Sequence, residues 1–218
     1  MRILALTLAC LGLTASVARG TTWFGGQLQF PVPARDIGAT QLGVGAGATI
    51  TRMVNAHVGL GADVAYHYWP ASPGYQAAFD RYLQTERMEA LTGSEWALSA
   101  LQITGHIKLV APAGRRCAAW VQAGGGAYHL NFNLDQRRTA DTYAWVVGPG
   151  LGNFKVSAGG YGAIGLDVHV SPPVALGVDA TFHYVRCGEK STWGYTGIND
   201  LQDFSAFTVG MHALFGWR

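Results

Sequence analysis

The sequence is poor in charge and has no long apolar run after its N-terminus. Only 13% of its 218 residues are Asp, Glu, Lys or Arg. Beyond residue 20, no uncharged apolar stretch reaches the roughly 18 residues of a transmembrane helix, which excludes a helical membrane protein. A clustered basic face, which binding to nucleic acid requires, is also missing, so nucleic acid is not expected as a partner.

The first twenty residues have the features of a secretion signal. Arg2 forms a short basic n-region, and an uncharged, largely apolar stretch follows it. Ala18-Arg19-Gly20 then places small residues at a cleavage site. Cleavage after Ala18, with Ser16 as the other small residue, is the alternative. Removing two arginines leaves 13 of the 15 basic residues, which balance the 13 acidic ones. We expect residues 1–20 to be a cleaved signal peptide and residues 21–218 to form one exported domain without net charge.

What the sequence does contain is an alternation with a period of two. From Val58 to Tyr68, and again from Val174 to Tyr184, even positions hold mainly Val, Leu, Phe or Tyr, and odd positions hold mainly Gly, Asp, Thr or His. Successive side chains of a strand point to opposite faces, so each segment meets one apolar and one polar environment. Eight such strands are predicted, at 22–30, 40–51, 57–68, 96–110, 117–131, 156–170, 174–185 and 204–217.

The connections between these strands alternate in length. Those at 52–56, 111–116 and 171–173 are short, and those at 31–39, 69–95, 133–155 and 186–203 are long. Short periplasmic turns and long extracellular loops are typical of an outer-membrane β-barrel with both termini in the periplasm. The second long loop is predicted to contain one short helix, with Ser72 as its N-cap, Pro73 at its first position and Gly93 as its stop.

The two faces of the predicted strands differ in chemistry. The outward face is apolar, and the inward face carries small and polar residues together with all the histidines. The predicted outward residues include Phe24, Leu28, Leu42, Val44, Val58, Leu60, Leu101, Ile103, Ile107, Trp120, Ile164, Leu166, Val168, Leu176, Val178, Val209 and Met211. The predicted inward residues include Gln27, Gln29, Gly43, Gly45, Gly47, Asp63, Gln102, Thr104, Lys108, Gly125, Asn131, Tyr161, Asp167, Asp179, Thr181, Thr208 and Gly210.

Aromatic residues are predicted to form two girdles on the outward face. The periplasmic girdle consists of Phe24, Trp120, Phe215 and Trp217. The extracellular girdle consists of Phe30, Tyr66, Tyr68, Tyr128, Phe132, Phe182, Tyr184 and Phe207. Amphipathic rings prefer the headgroup level of a bilayer, so the girdles favour a membrane barrel over the alternative of a soluble periplasmic barrel or sandwich.

The two cysteines beyond residue 20 are predicted to lie at opposite ends of the barrel. Cys117 begins the fifth strand at the periplasmic end, and Cys187 follows the seventh strand at the extracellular end. Most of a bilayer core of about 30 Å then separates them. A disulfide tolerates Cα atoms only up to roughly 7 Å apart, so no intramolecular disulfide is expected.

The last strand carries a family resemblance. Residues 208–215 read Thr-Val-Gly-Met-His-Ala-Leu-Phe, a polar residue and a glycine followed by spaced hydrophobic or aromatic positions. This resembles the assembly signal of the small outer-membrane β-barrels of the OmpA, OmpX and OmpW type, although the chain ends one residue later, at Trp217-Arg218. The resemblance implies an all-β fold, an eight-stranded antiparallel up-and-down transmembrane β-barrel over residues 21–218. It also implies a monomer in the bacterial outer membrane, surrounded by membrane lipids and lipopolysaccharide and inserted by the barrel-assembly machinery.

The interior of an eight-stranded barrel is just wide enough for side chains to fill it. We therefore expect a polar plug, in which Lys108 pairs with Asp167 because a buried charge needs a partner. His67, His129 and His183 are predicted near the extracellular end of alternate strands, where three imidazoles would suit zinc or copper. The favoured interpretation is that these histidines only supply hydrogen bonds, with no metal and no cofactor.

Catalysis is not expected, although outer-membrane enzymes such as lipid A acylases, lipid A deacylases and omptin-like proteases exist. His129-Leu130-Asn131 has the spacing of a His-x-Ser pair, but Asn is not an acyl-accepting nucleophile. Ser157 and Asp179 face inward, but nothing in the sequence couples them to His183. The predicted function is a structural or surface-interaction role through the long loops. A narrow porin-like channel for small or hydrophobic solutes is the alternative, and a lipid-modifying enzyme is the second alternative.

Overall fold

The protein is a closed barrel of eight antiparallel strands in which each strand pairs with the next and the last pairs with the first. The computed structural model describes residues 20–35, 40–74, 76–77, 80–81, 96–134, 155–186 and 203–217. The strands are β1 (Thr22–Arg35), β2 (Val44–Met53), β3 (Val58–Pro70), β4 (Trp96–Pro112), β5 (Cys117–Leu134), β6 (Lys155–Ser171), β7 (Val174–Arg186) and β8 (Asp203–Trp217). The predicted all-β fold and the number of strands are confirmed.

One end of the barrel, which we call the turn end, contains the short turns between strands. The start of β1 and the end of β8 also lie at this end. In the turn between β2 and β3, the side-chain oxygen of Asn55 accepts the backbone N–H groups of His57 and Val58, both at 2.8 Å. The turn between β4 and β5 contains Gly114 at φ 118°, a left-handed conformation that glycine adopts without strain. The opposite end, the loop end, joins the strands through residues 36–43, 71–95, 135–154 and 187–202.

A helical turn follows β3 at the position predicted for a helix. Pro73 and Gly74 are helical, and the backbone N–H of Gln76 donates to the carbonyl of Ser72 at 2.9 Å. Residues 76–77 and 80–81 are also helical, whereas the remainder of the predicted helix, as far as Gly93, lies outside the described residues, as do Cys187 and the predicted signal peptide up to residue 19. Cys117 is exposed and unbridged at the turn end, and the absence of a disulfide stays a prediction. In the part of the chain that the structure describes, no helix is both long and apolar enough to cross a membrane.

The outward face of the barrel is a continuous apolar surface. Among the outward-facing strand residues whose side chains are described, none is Asp, Glu or Lys, and the two arginines, Arg52 and Arg186, lie at opposite ends of the strands. Ile164 and Val209 are about three-fifths exposed in the middle of this surface. Apolar side chains outside and polar ones inside are the reverse of a water-soluble barrel, and this surface suits the hydrocarbon core of a bilayer.

Strand β5 has the opposite orientation to the predicted one. Trp120 and Tyr128, predicted to face lipid, are 7% and 1% exposed and lie in the lumen, whereas Gly125 and His129 are on the outward face. The alternation is weak in this strand because both of its faces carry Ala and Gly, as in Gly124-Gly125-Gly126. The aromatic residues were therefore the strongest indication of orientation in this strand, and they indicated the wrong face.

The other predicted members of the aromatic girdles are outward-facing wherever their side chains are described. At the turn end, Phe24 and Phe215 stack with ring centroids 6.0 Å apart. Near the loop end, Phe182 and Phe207 pack at 5.0 Å. Two girdles therefore persist without Trp120 and Tyr128. His57 also departs from the predicted inward set, because it lies exposed in a turn with its Nδ1 3.1 Å from the carbonyl of Val110.

Candidate functional site: the polar lumen

The lower lumen is organised around the carboxylate of Asp167 on β6. It accepts the ammonium of Lys108 at 3.2 Å and the indole N–H of Trp120 at 2.8 Å, and it lies 2.7 Å from Nε2 of His212. The predicted pair of Lys108 with Asp167 is confirmed. The Lys108 ammonium also lies 4.2 Å from the centroid of the Trp120 ring, which is a cation–π contact. The Asp167 carboxylate and the Trp120 ring together hold the buried ammonium of Lys108 in the lumen.

His212 extends this network to a second carboxylate. Its Nδ1 lies 3.1 Å from Asp179, which also accepts the hydroxyl of Thr181 at 3.2 Å. Inward glycines make room for these groups. A Cβ built on Gly210 would lie 2.8 and 2.9 Å from the two Asp179 carboxylate oxygens. A larger residue at this position would displace the Asp179 carboxylate, which occupies the space of the missing side chain.

A third carboxylate, Asp63 on β3, gathers side chains from across the barrel. Nδ1 of His106 lies 2.7 Å away, and the hydroxyl of Tyr161 donates to the same oxygen. The amide of Gln122 donates to Tyr161 at 2.5 Å and to Asp63 at 3.4 Å. His106 continues through Nε2 to the hydroxyl of Thr51 at 2.9 Å. Each buried carboxylate in the lumen therefore has several hydrogen-bonding partners, as burial of charge demands.

The structure does not bring the three candidate metal-binding histidines together. The rings of His67 and His183 lie 5.4 Å apart in the lumen. His129 is on the outward face, where it pairs with Leu101 and Val156 on the neighbouring strands. The hypothesis of a triad is therefore wrong in its geometry, because the orientation of β5 was inverted. In the part of the chain that the structure describes, no group of three His, Cys, Asp or Glu side chains could hold a metal ion.

A layer of apolar side chains lies above this network, at the loop end of the lumen. It consists of Pro31, Trp69, Leu98, Leu130, Val185 and Ala206, each no more than 3% exposed. The ring of His67 stacks beneath it on Trp69, with centroids 5.6 Å apart. Side chains buried this deeply are out of reach of bulk water. Sequence alternation alone did not reveal this layer, since large apolar residues on the inward face run against the general pattern.

Below the layer, a cavity of about 470 Å³ occupies the lumen. Its wall includes Thr21, Met53 and Asn55 at the turn end, and Gln29 and His183 at its inner end. The cavity is therefore a blind pocket that begins among the turns, and the apolar layer separates its inner end from the loops.

Ser157, the inward serine that was considered as a nucleophile, lies in the lumen on β6. Ser157 is 5% exposed, and its hydroxyl has no hydrogen-bond partner in the described part of the chain. Nδ1 of His183 instead lies 3.2 Å from the hydroxyl of Tyr128. A nucleophile needs a base within hydrogen-bond reach, and Ser157 does not have one.

The fold matches solved barrels of bacterial outer membranes. The crystal structure of Neisserial surface protein A aligns with a TM-score of 0.55 at 11% identity, covering 90% of this chain and 99% of that one. The crystal structure of a major outer membrane protein from Thermus thermophilus aligns with a TM-score of 0.50 at 9% identity, covering 91% and 100%. No protein-family model matches the sequence, and no curated protein matches it significantly.

These alignments and the barrel topology define the class of protein. The chain has the fold of the small eight-stranded outer-membrane β-barrels. At such low identity the likeness concerns the fold, and the role of this chain has to be argued from its own lumen and surface.

Proposed function

We propose that this chain is a non-catalytic surface protein of the bacterial outer membrane, which uses its barrel as an anchor and its long loops for interaction. The observation that carries the proposal is the apolar layer around Trp69 and Val185, which closes the loop end of the lumen above a crowded polar network. A closed barrel leaves the loop end as the part of the molecule that meets the outside.

The outward surface supports the location. Its apolar band, flanked by aromatic residues, fits membrane lipids, and its loop end would meet lipopolysaccharide. The barrel is a monomer in this proposal, inserted by the barrel-assembly machinery through the C-terminal strand at residues 208–215. Residues 71–95 and 135–154 are the longest connections and would carry the interaction.

The closed lumen can be tested by electrical recording. The purified protein, reconstituted in a planar lipid bilayer, should give no single-channel conductance while its gel mobility stays heat-modifiable, which shows that the barrel is folded. A double substitution Trp69→Ala and Leu98→Ala removes two large side chains from the apolar layer and should produce conductance steps. The double substitution Leu60→Ala and Ile107→Ala, on the outward face, is the matched control and should stay silent.

The surface role has a separate test. Proteinase K added to intact cells should cleave within residues 71–95 and 135–154 and leave a membrane-embedded barrel. Protection of both segments in intact cells, with cleavage only after the outer membrane is opened, would contradict the proposed orientation.

The alternatives predict different results. A narrow channel for small or hydrophobic solutes would conduct without any substitution in the apolar layer. A lipid-modifying enzyme would change lipid A acylation when the protein is overexpressed, and an unaltered lipid A profile is expected here. The absence of a base beside Ser157 disfavours the enzyme.

A further inference from the structure

The blind cavity at the turn end has a chemistry that the anchoring role does not use. Three carboxylates line it, those of Asp63, Asp167 and Asp179, against the ammonium of Lys108 and the imidazole of His212, which contacts Asp167 and Asp179. Its volume of about 470 Å³ falls in the usual range of small-molecule pockets, roughly 300 to 1,000 Å³. Excess carboxylate in a small space favours a cationic occupant.

The inner end of the cavity adds an independent indication. Gln29 and His183 are each 4% exposed and both line the cavity. The side-chain oxygen of Gln29 and Nε2 of His183 have no hydrogen-bond partner in the described part of the chain. A buried polar atom left unpaired is destabilising, so both atoms need a partner, and the described residues do not supply one. The Gln29 oxygen only accepts, and its partner must therefore be a donor.

The barrel register places this acceptor beside a carboxylate. Gln29 on β1 pairs with Gly210 on β8, and Gly210 pairs in turn with Asp179 on β7. Because Gly210 has no side chain, nothing on β8 stands between Gln29 and Asp179 at this level. The Asp179 carboxylate leans over Gly210 into that space. A neutral acceptor and an anionic acceptor thus face the same part of the cavity.

The lumen already shows how it holds such a group. The ammonium of Lys108 is bound by the Asp167 carboxylate at 3.2 Å and by the face of the Trp120 ring at 4.2 Å. The wall of the cavity offers further aromatic surface on Trp23 and Tyr161. We propose that the turn-end cavity binds a small organic amine, with its ammonium group held between the side-chain oxygen of Gln29 and the carboxylate of Asp179. The amine enters from the side of the turns and does not pass the apolar layer.

The experiment is a calorimetric titration of the detergent-solubilised protein with 1,4-diaminobutane. One saturable site is expected. The neutral analogue 1,4-butanediol, which has the same length and also donates hydrogen bonds, should not bind. Gln29→Met keeps the shape of the side chain and removes the unpaired oxygen, so affinity should fall about tenfold or more.

Two further variants make the result decisive. Thr208→Val removes another buried, unpaired oxygen that does not line the cavity, and binding should be unchanged. Asp179→Asn should weaken binding at least as much as Gln29→Met. If the Asp179 variant fails to fold, as judged by gel mobility, the affinity of Gln29→Met for the diamine still tests the proposal. Absence of saturable binding, equal binding of the diol, or native affinity in Gln29→Met would each overturn the proposal and leave a cavity that holds only water.

Discussion

Trp120 donates its indole N–H to the carboxylate of Asp167 across 2.8 Å inside the barrel. This bond requires the even-numbered face of β5 to point inward, and it ties β5 to β6 and, through Asp167, to Lys108 and His212. A large aromatic side chain thus contributes its polar atom to the lumen network and does not meet lipid.

Replacing Trp120 with Phe should destabilise the barrel. The ring is kept and the N–H is lost, and a hydrogen bond to a charged group contributes about 1.5–3 kcal/mol. Urea unfolding in lipid vesicles, followed by heat-modifiable gel mobility, measures the change in the free energy of unfolding. Trp217→Phe is the control, because Trp217 is 73% exposed at the end of β8 and should change stability by no more than about 0.5 kcal/mol. Equal effects of the two substitutions would contradict the lumen position of Trp120.

The orientation of β5 has a direct spectroscopic consequence. Spin labels on single cysteines at Val121, Gln122 and Ala123, in a background with Cys117 and Cys187 changed to Ser, should alternate in their exposure to dissolved oxygen. Oxygen concentrates in the bilayer, so labels at 121 and 123 should relax quickly and the label at 122 slowly. A label at His129 should behave like those at 121 and 123. The reverse alternation would restore the orientation that the sequence pattern predicts.

The sequence contained one correct signal for this strand. Gln122 is an amide near the middle of β5, where a lipid-facing position would leave it without a partner. Residues 120, 122 and 128 differ by even numbers, so Trp120 and Tyr128 lie on the same face of β5 as Gln122. The prediction placed the aromatic residues of this strand toward lipid, and the structure shows that the amide is the better guide.

The strands themselves were predictable because most have two chemically different faces. The predicted starts and ends of β3 and β7 lie within two residues of those observed. The pair of Lys108 with Asp167 was also predictable, since a buried ammonium needs an anion. The contacts of Asp63 with Tyr161, and of Asp167 with His212, were not. A tyrosine hydroxyl or an imidazole has many possible partners in a polar lumen, and its height relative to each carboxylate depends on the stagger with which the barrel closes, which alternation does not encode.

Inward glycines beneath aromatic rings should resist substitution. A Cβ on Gly159 would lie 2.6 and 2.7 Å from carbons of the Tyr128 ring and 2.9 Å from the carbonyl of Tyr184. Gly159→Ala should therefore cost about 1–3 kcal/mol, the usual penalty for overpacking. Gly162 lies on the same strand with nothing within 4 Å of its Cβ position, and Gly162→Ala should stay within about 0.5 kcal/mol of the native protein. Urea unfolding of the two variants in the same vesicles makes the comparison, and equal losses would contradict the packing of Tyr128 against β6.

The Lys108–Asp167 pair should behave as a coupled unit in a double-mutant cycle. Lys108→Met removes the ammonium and leaves a buried carboxylate with only Trp120 and His212, so we expect a loss of about 3 kcal/mol. Asp167→Asn leaves the ammonium without its anion and should also destabilise the barrel. The double variant removes both charges, so its loss of stability should be smaller than the sum of the single losses by at least about 1 kcal/mol.

The control combines Lys108→Met with Thr208→Val. The Thr208 side chain shares no hydrogen-bond partner with Lys108, so these two losses should add. If the losses for Lys108 and Asp167 add within about 0.5 kcal/mol, the ion pair does not contribute to stability, and the lumen solvates each charge independently.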